Sequence, residues 1–150
     1  MGHTYGNLLV HAVFSTKERR PAIDDDLRPR LFAYMGGIAR QEIGQAIIIG
    51  GTDNHVHSLL IVRADVPVSE AMRKLKGLSS GWVHQTLPER SAFAWQSGYG
   101  AFSVSQSRAG EAEEYIRNQA EHHRRQTFEE EFIALLKRHG IEYDPRYVFD

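Results

Sequence analysis

The chain has 150 residues, with 18 Lys and Arg against 19 Asp and Glu, 8 His and no Cys, and a formal net charge of −1. That length suits one domain, 1–150, with one sizeable core. The absence of cysteine excludes a disulfide framework, a zinc–thiolate site, an iron–sulfur cluster and a thiol nucleophile. A near-neutral total argues against a broadly basic nucleic-acid surface, but the charge is uneven. Residues 1–90 are net positive and residues 91–150 net negative, with the acid gathered in Glu111/Glu113/Glu114 and Glu129/Glu130/Glu131. The apolar run Leu8–Phe14, interrupted by His11, is too short for a signal-peptide core with its cleavage site or for a membrane span, so a cytoplasmic chain with no membrane segment is expected.

Residues 5–14 read as a strand that runs into the basic loop Ser15–Pro21. Asp24-Asp25-Asp26 opens a helix in which Leu27, Leu31, Phe32, Met35, Ile38 and Ala39 recur at helical spacing, with Pro29 tolerable because it falls in the first turn. Residues 46–50 and 55–63 form an antiparallel hairpin about the turn between them. Pro67 and Ser69 open a second helix with Met72, Leu75, Leu78, Ser79 and Trp82 on one side. Residues 95–104 read as a strand marked by glycines, and 110–124 as a helix with Ala112, Tyr115, Ile116, Gln119 and Ala120 along one side. Residues 128–139 form a last helix stopped by Gly140, and 141–149 an extended tail with aromatics to dock. This order predicts an α+β fold: a ferredoxin-like (RRM-like) antiparallel sheet with helices on one face, plus a C-terminal helical extension.

His55 and His57 stand two apart in a strand, which puts both imidazoles on one face and sends Val56 into the core beneath the helices. Two imidazoles side by side on an open sheet face chelate a divalent cation, although the same pattern also suits polar residues on a half-solvated sheet. Tyr115 and Gln119, four apart on a helix, share a side; the bland alternative makes Tyr115 part of the buried stripe and Gln119 a rim residue. His122 and His123 read as a solvated run near a helix end. Lys17, Arg19 and Arg20 in the first loop and Arg73, Lys74 and Lys76 on the second helix are candidate phosphate contacts for a single strand lying across the sheet, or simply solvated faces.

Together these residues resemble the single-tyrosine HUH transposases of the insertion sequence 200/605 group. The resemblance is carried by His55-Val56-His57 and by Glu114-Tyr115-Ile116-Arg117-Asn118-Gln119. Ser15-Thr16-Lys17-x-Arg19-Arg20, Leu75-Lys76-Gly77-x-Ser79-Ser80 and Trp95-Gln96-x-Gly98-Tyr99-x-x-Phe102-Ser103-Val104 add to it, in the family's order over about residues 5–150. It implies that His55, His57 and Gln119 hold Mg²⁺ or Mn²⁺ and that Tyr115 is the nucleophile. Attack at hairpin-bearing ends of single-stranded DNA then leaves a 5′-phosphotyrosine and a free 3′-OH. It also implies a homodimer in which the tyrosine helix of one subunit is able to complete the partner's histidine pair; strands 46–50 and 5–14 are expected as the apolar sheet edges. Asn54 stands where members often carry Asp, which bears on how the neighbouring histidine is tuned. Two rival readings are a noncatalytic, domesticated module that binds structured nucleic acid, and a metal-dependent phosphodiesterase in which water attacks.

Overall fold

Strand β1 (Leu9–Ser15) runs through the middle of a four-stranded antiparallel sheet whose order is β2 (Gly44–Gly51), β3 (His55–Val62), β1, β4 (Gly100–Val104). The computed structural model describes residues 2–150. Two helices, α1 (Leu27–Glu42) and α2 (Val68–Thr86), cross between strands as the ferredoxin-like order requires. They cover one face, where Ala12, Phe14, Val56 and Leu60 pack with Leu31, Met35, Met72 and Leu75. Alternation along β1 and β3 makes this face apolar: Phe14 and Val56 are register partners, and the next pair, Val13 and His57, points the other way.

The C-terminal extension covers that other face. Helices α3 (Ala109–Arg117), α4 (Gln119–Arg125) and α5 (Phe128–Arg138) follow β4, and Phe128, Phe132, Leu135 and Leu136 pack on Val13 and Phe102. Thr127 starts α5 with a capping box: its hydroxyl accepts from the Glu130 backbone while the Glu130 carboxylate accepts from the Thr127 N–H. The sheet face expected to be open is therefore closed, and His55 and His57 are fully buried.

Several other expectations are corrected. The first strand begins at Leu9, and it is central, hydrogen-bonded to β3 and β4, so the sheet edges are β2 and β4. Of residues 95–104 only Gly100–Val104 join the ladder; Trp95 makes a single bridge to Thr16, and its indole donates to Ser79 Oγ at 2.9 Å. Leu78 faces solvent, and Val83 takes the buried position instead. The tail is turned rather than extended, although Tyr143, Val148 and Phe149 do dock, on the α5 cluster. The helix expected over 110–124 breaks at Asn118.

Candidate metal centre and tyrosine site

The site is assembled from β1, β3 and the three C-terminal helices. Close approach sets the tyrosine helix: a Cβ on Gly50 of β2 would lie 2.6 Å from the Ile116 carbonyl oxygen, so glycine lets α3 rest directly on the sheet. Ile116 fills the interface, and the break at Asn118 turns Gln119 inward to near-complete burial while Ala120 stays exposed.

His55 Nδ1 lies 2.8 Å from Asn54 Oδ1 and 2.9 Å from Thr52 Oγ1. The amide oxygen only accepts, so this contact puts the His55 proton on Nδ1 and aims the Nε2 lone pair into the site. Asn54 thus supplies the acceptor that orients the His55 ring. His55 Nε2 then meets Gln119 Oε1 at 3.0 Å, an arrangement of two acceptors with no proton between them. His57 Nε2 is 2.9 Å from Glu131 Oε1, and His55 Nε2 is 3.4 Å from the same oxygen. Glu131 Oε2 accepts from the Tyr115 hydroxyl and, at 3.3 Å, from the Gln119 amide.

Glu131 was not anticipated. It stood in the sequence as part of an acidic cluster, yet it falls on the same helical stripe as Phe128, Phe132 and Leu135, a carboxylate on an apolar face. His55, His57 and Glu131 each offer one ligand atom within 4.8 Å of the others, and Gln119 Oε1 adds a fourth donor. Two imidazoles, a carboxylate and an amide oxygen are a donor set suited to a divalent cation. The two facing acceptors at His55 and Gln119 are best satisfied by a cation between them, so the residues present fit such an ion.

Electrostatics follow from burial. Burial alone would raise the Glu131 carboxyl, but the hydrogen bonds that His57 and Tyr115 donate to it reverse this and hold it well below the usual carboxylate range. Burial, then the Glu131 carboxylate, pushes the Tyr115 phenol well above the ordinary tyrosine range. Burial lowers His57 despite its bond to Glu131, and lowers His11, which also feels His57, to about 3. A cavity of about 400 Å³ opens beside Tyr115, lined by His11, Ser103, Arg108, Glu111 and Arg138.

Structure therefore brings His55, His57, Tyr115 and Gln119 together within one chain. His122, set aside in the sequence, stacks on the Tyr115 ring at 4.4 Å between centroids, and His123 Nε2 lies 3.6 Å from Asp53. The six candidate phosphate contacts do not behave alike. Arg19 donates to the Phe149 carbonyl at 3.2 Å and covers that ring, and Lys76 donates to the Ser97 and Gly98 carbonyls at 2.8 and 3.0 Å, so both are engaged in holding loops. Arg20 pairs with Glu18, Arg73 with Glu70 and Lys74 with Glu42. Lys17 is exposed and makes no side-chain hydrogen bond or ion pair among the described residues.

The residues that carry the resemblance to the single-tyrosine transposases, the histidine pair and the tyrosine, thus meet at one buried point under a ferredoxin-like sheet. The family model described as Transposase IS200 like matches residues 4–119, and the chain belongs to that family. It is 26% identical over 126 residues to the transposase for insertion sequence element IS200 of Salmonella typhimurium strain LT2, covering 81% of this chain and 82% of that one; the Salmonella typhi protein matches equally. Among solved structures, a candidate transposase from Deinococcus radiodurans R1 superposes with a TM-score of 0.64 at 23% identity, over 79% of this chain and 96% of that one. A REP-associated tyrosine transposase bound to a REP hairpin gives 0.58 at 12%, over 82% and 73%. These two share the fold. No helix among the described residues is long and apolar enough to cross a membrane.

Proposed function

We propose that this protein is a metal-dependent, single-strand DNA transposase, acting in the cytoplasm as a homodimer, that cleaves and rejoins DNA at hairpin-bearing ends through a 5′-phosphotyrosine on Tyr115. The observation that carries this reading is the convergence of His55, His57, Gln119 and Glu131 on one buried point with the Tyr115 hydroxyl hydrogen-bonded to its edge. His55 and His57 through Nε2, Gln119 through Oε1 and Glu131 through Oε1 would hold Mg²⁺ or Mn²⁺. A divalent cation there polarises the scissile phosphate and offsets the charge growing on its oxygens.

The chain's own groups supply the rest. The cavity beside Tyr115 admits the strand, with Arg108 and Arg138 at its wall to face phosphates. Lys17, exposed and without a side-chain partner among the described residues, is a further candidate phosphate contact. Tyr115 Oη attacks phosphorus; the P–Oη bond forms as the P–O3′ bond breaks. Glu131 Oε2, which accepts from the hydroxyl, aims Tyr115 Oη; the phenol proton leaves to water in the cavity, and the departing 3′ oxygen takes a proton from water. The ester is kept rather than hydrolysed, so a second 3′-OH reverses the step and rejoins strands without ATP.

The test uses labelled single-stranded hairpin DNA from the gene's own locus, purified protein and Mn²⁺. A denaturant-resistant protein–DNA band is expected with the wild type and none with Tyr115→Phe or with EDTA. Cleavage retained by Tyr115→Phe would show that water attacks, as in a phosphodiesterase; hairpin binding with no cleavage by the wild type would leave a binding module.

A further inference from the structure

Within the apolar first strand, His11 is buried, and its Nε2 lies 2.8 Å from Nδ1 of His57. The two rings are 5.0 Å apart, and His11 is boxed by Phe102 at 6.1 Å on one side and Tyr115 at 6.1 Å on the other. A buried imidazole costs desolvation unless its nitrogens are used. Here one nitrogen meets a site histidine, and the ring lines the cavity beside Tyr115, which leaves the other open to solvent.

We propose that His11 is a positioning residue that sets which nitrogen of His57 carries the proton, and so whether His57 is able to ligate; this rests on the metal reading above. An imidazole gives a lone pair from Nε2 only when its proton is on Nδ1. Nδ1 of His57 has one partner, Nε2 of His11, which accepts only when the His11 proton sits on its own Nδ1, toward the cavity. Without a cation, Glu131 Oε1 at 2.9 Å draws the His57 proton to Nε2, and His11 then donates to His57 Nδ1 from Nε2. The two rings thus hold two paired states, and a change between them moves protons in register. His57 releases one from Nε2 to solvent water and receives one at Nδ1 from His11, and His11 takes one at Nδ1 from cavity water, with no net change in charge. His55 lacks this freedom, because Asn54 and Thr52 hold its Nδ1. A partner to the remote nitrogen of a ligating histidine is common, but it is usually a carboxylate, carbonyl or water. An imidazole differs in that it both donates and accepts, and so satisfies His57 in either state.

Two variants of the full-length chain test this. Leucine fills the space of His11 but offers no acceptor, whereas glutamine places its amide near the Nε2 position and offers both a donor and an acceptor. Calorimetric titration with Mn²⁺ is expected to show His11→Leu weakened about 10–100-fold and His11→Gln near the wild type, with thermal melts confirming that both fold. Wild-type affinity in His11→Leu, or equal losses in both variants, overturns the proposal. A second readout needs no metal: ¹⁵N spectra of the metal-free wild type are expected to show a coupling across the N–H···N bond between His11 and His57, lost in His11→Leu. Its absence in the wild type overturns the proposal. If the wild type binds no Mn²⁺ yet shows this coupling, the metal reading fails while the role of His11 in setting the His57 tautomer stands.

Discussion

Under α1 and α2, strands β1 and β3 present Ala12, Phe14, Val56 and Leu60; under α3 to α5 the same strands present His11, His55 and His57. Burial is near complete on both sides, so the contrast lies in what burial asks of each. The apolar side gains free energy roughly in proportion to the area it hides, and its residues are exchangeable for others of similar volume. On the histidine side each hidden nitrogen and oxygen needs a partner, and at His55 and Gln119 the partners are two acceptors. A face assembled in this way is a poor core and a good binding site. One sheet thus separates folding from chemistry by the two-residue period of its strands.

Phe14→Ala should break this separation most visibly. Phe14 is fully buried, with Trp95 packed edge-on at 4.8 Å, and its truncation is expected to cost about 3–5 kcal/mol. Urea unfolding measures that loss, and Mn²⁺ affinity of the fraction still folded should match the wild type. A fall in affinity comparable to that of a histidine-face variant would show that the two faces are coupled.

Acid should act on the opposite side. His11 titrates at about 3 when folded against 6.5 otherwise, because burial, and then His57, disfavour its charge. A histidine lowered in this way contributes stability that is complete above pH 6.5 and is lost as pH falls toward 3; at pH 5 the loss is about 2 kcal/mol. His57 shifts in the same direction, and Glu131 adds a loss as the pH falls below its ordinary range near 4.5. Urea unfolding of metal-free protein at pH 7 and pH 5 measures the sum, and equal stabilities would mean that the histidine face opens to water.

These contrasts also explain what the sequence discloses. His55 and His57 are legible because strand alternation is local, and Tyr115 with Gln119 because four-residue spacing nearly survives the break at Asn118. The ferredoxin-like order follows from alternating strand and helix patterns. Glu131 and His11 act only through packing across 74 and 46 residues of chain to His57, and no local period reports that α5 lies over β3. Each left one sign, a polar group inside an apolar pattern. Lys17, Arg19 and Arg20 look alike in sequence because charge is local, whereas the docking of Phe149 that engages Arg19 is not.

The smallest effect tests the rule from within the apolar face. Ser58 stands on β3 between Val56 and Leu60, fully buried, and its hydroxyl has no partner. If that face carries no chemistry, the hydroxyl is only a desolvated group, and Ser58→Ala should stabilise the fold by about 1 kcal/mol, read by urea unfolding. Mn²⁺ affinity and formation of the covalent band should be unchanged, because the side chain points away from His57. A loss of stability would mean that Ser58 is hydrogen-bonded through water. A loss of the covalent band at full stability would mean that chemistry reaches through the sheet, and the division drawn between its faces would fall.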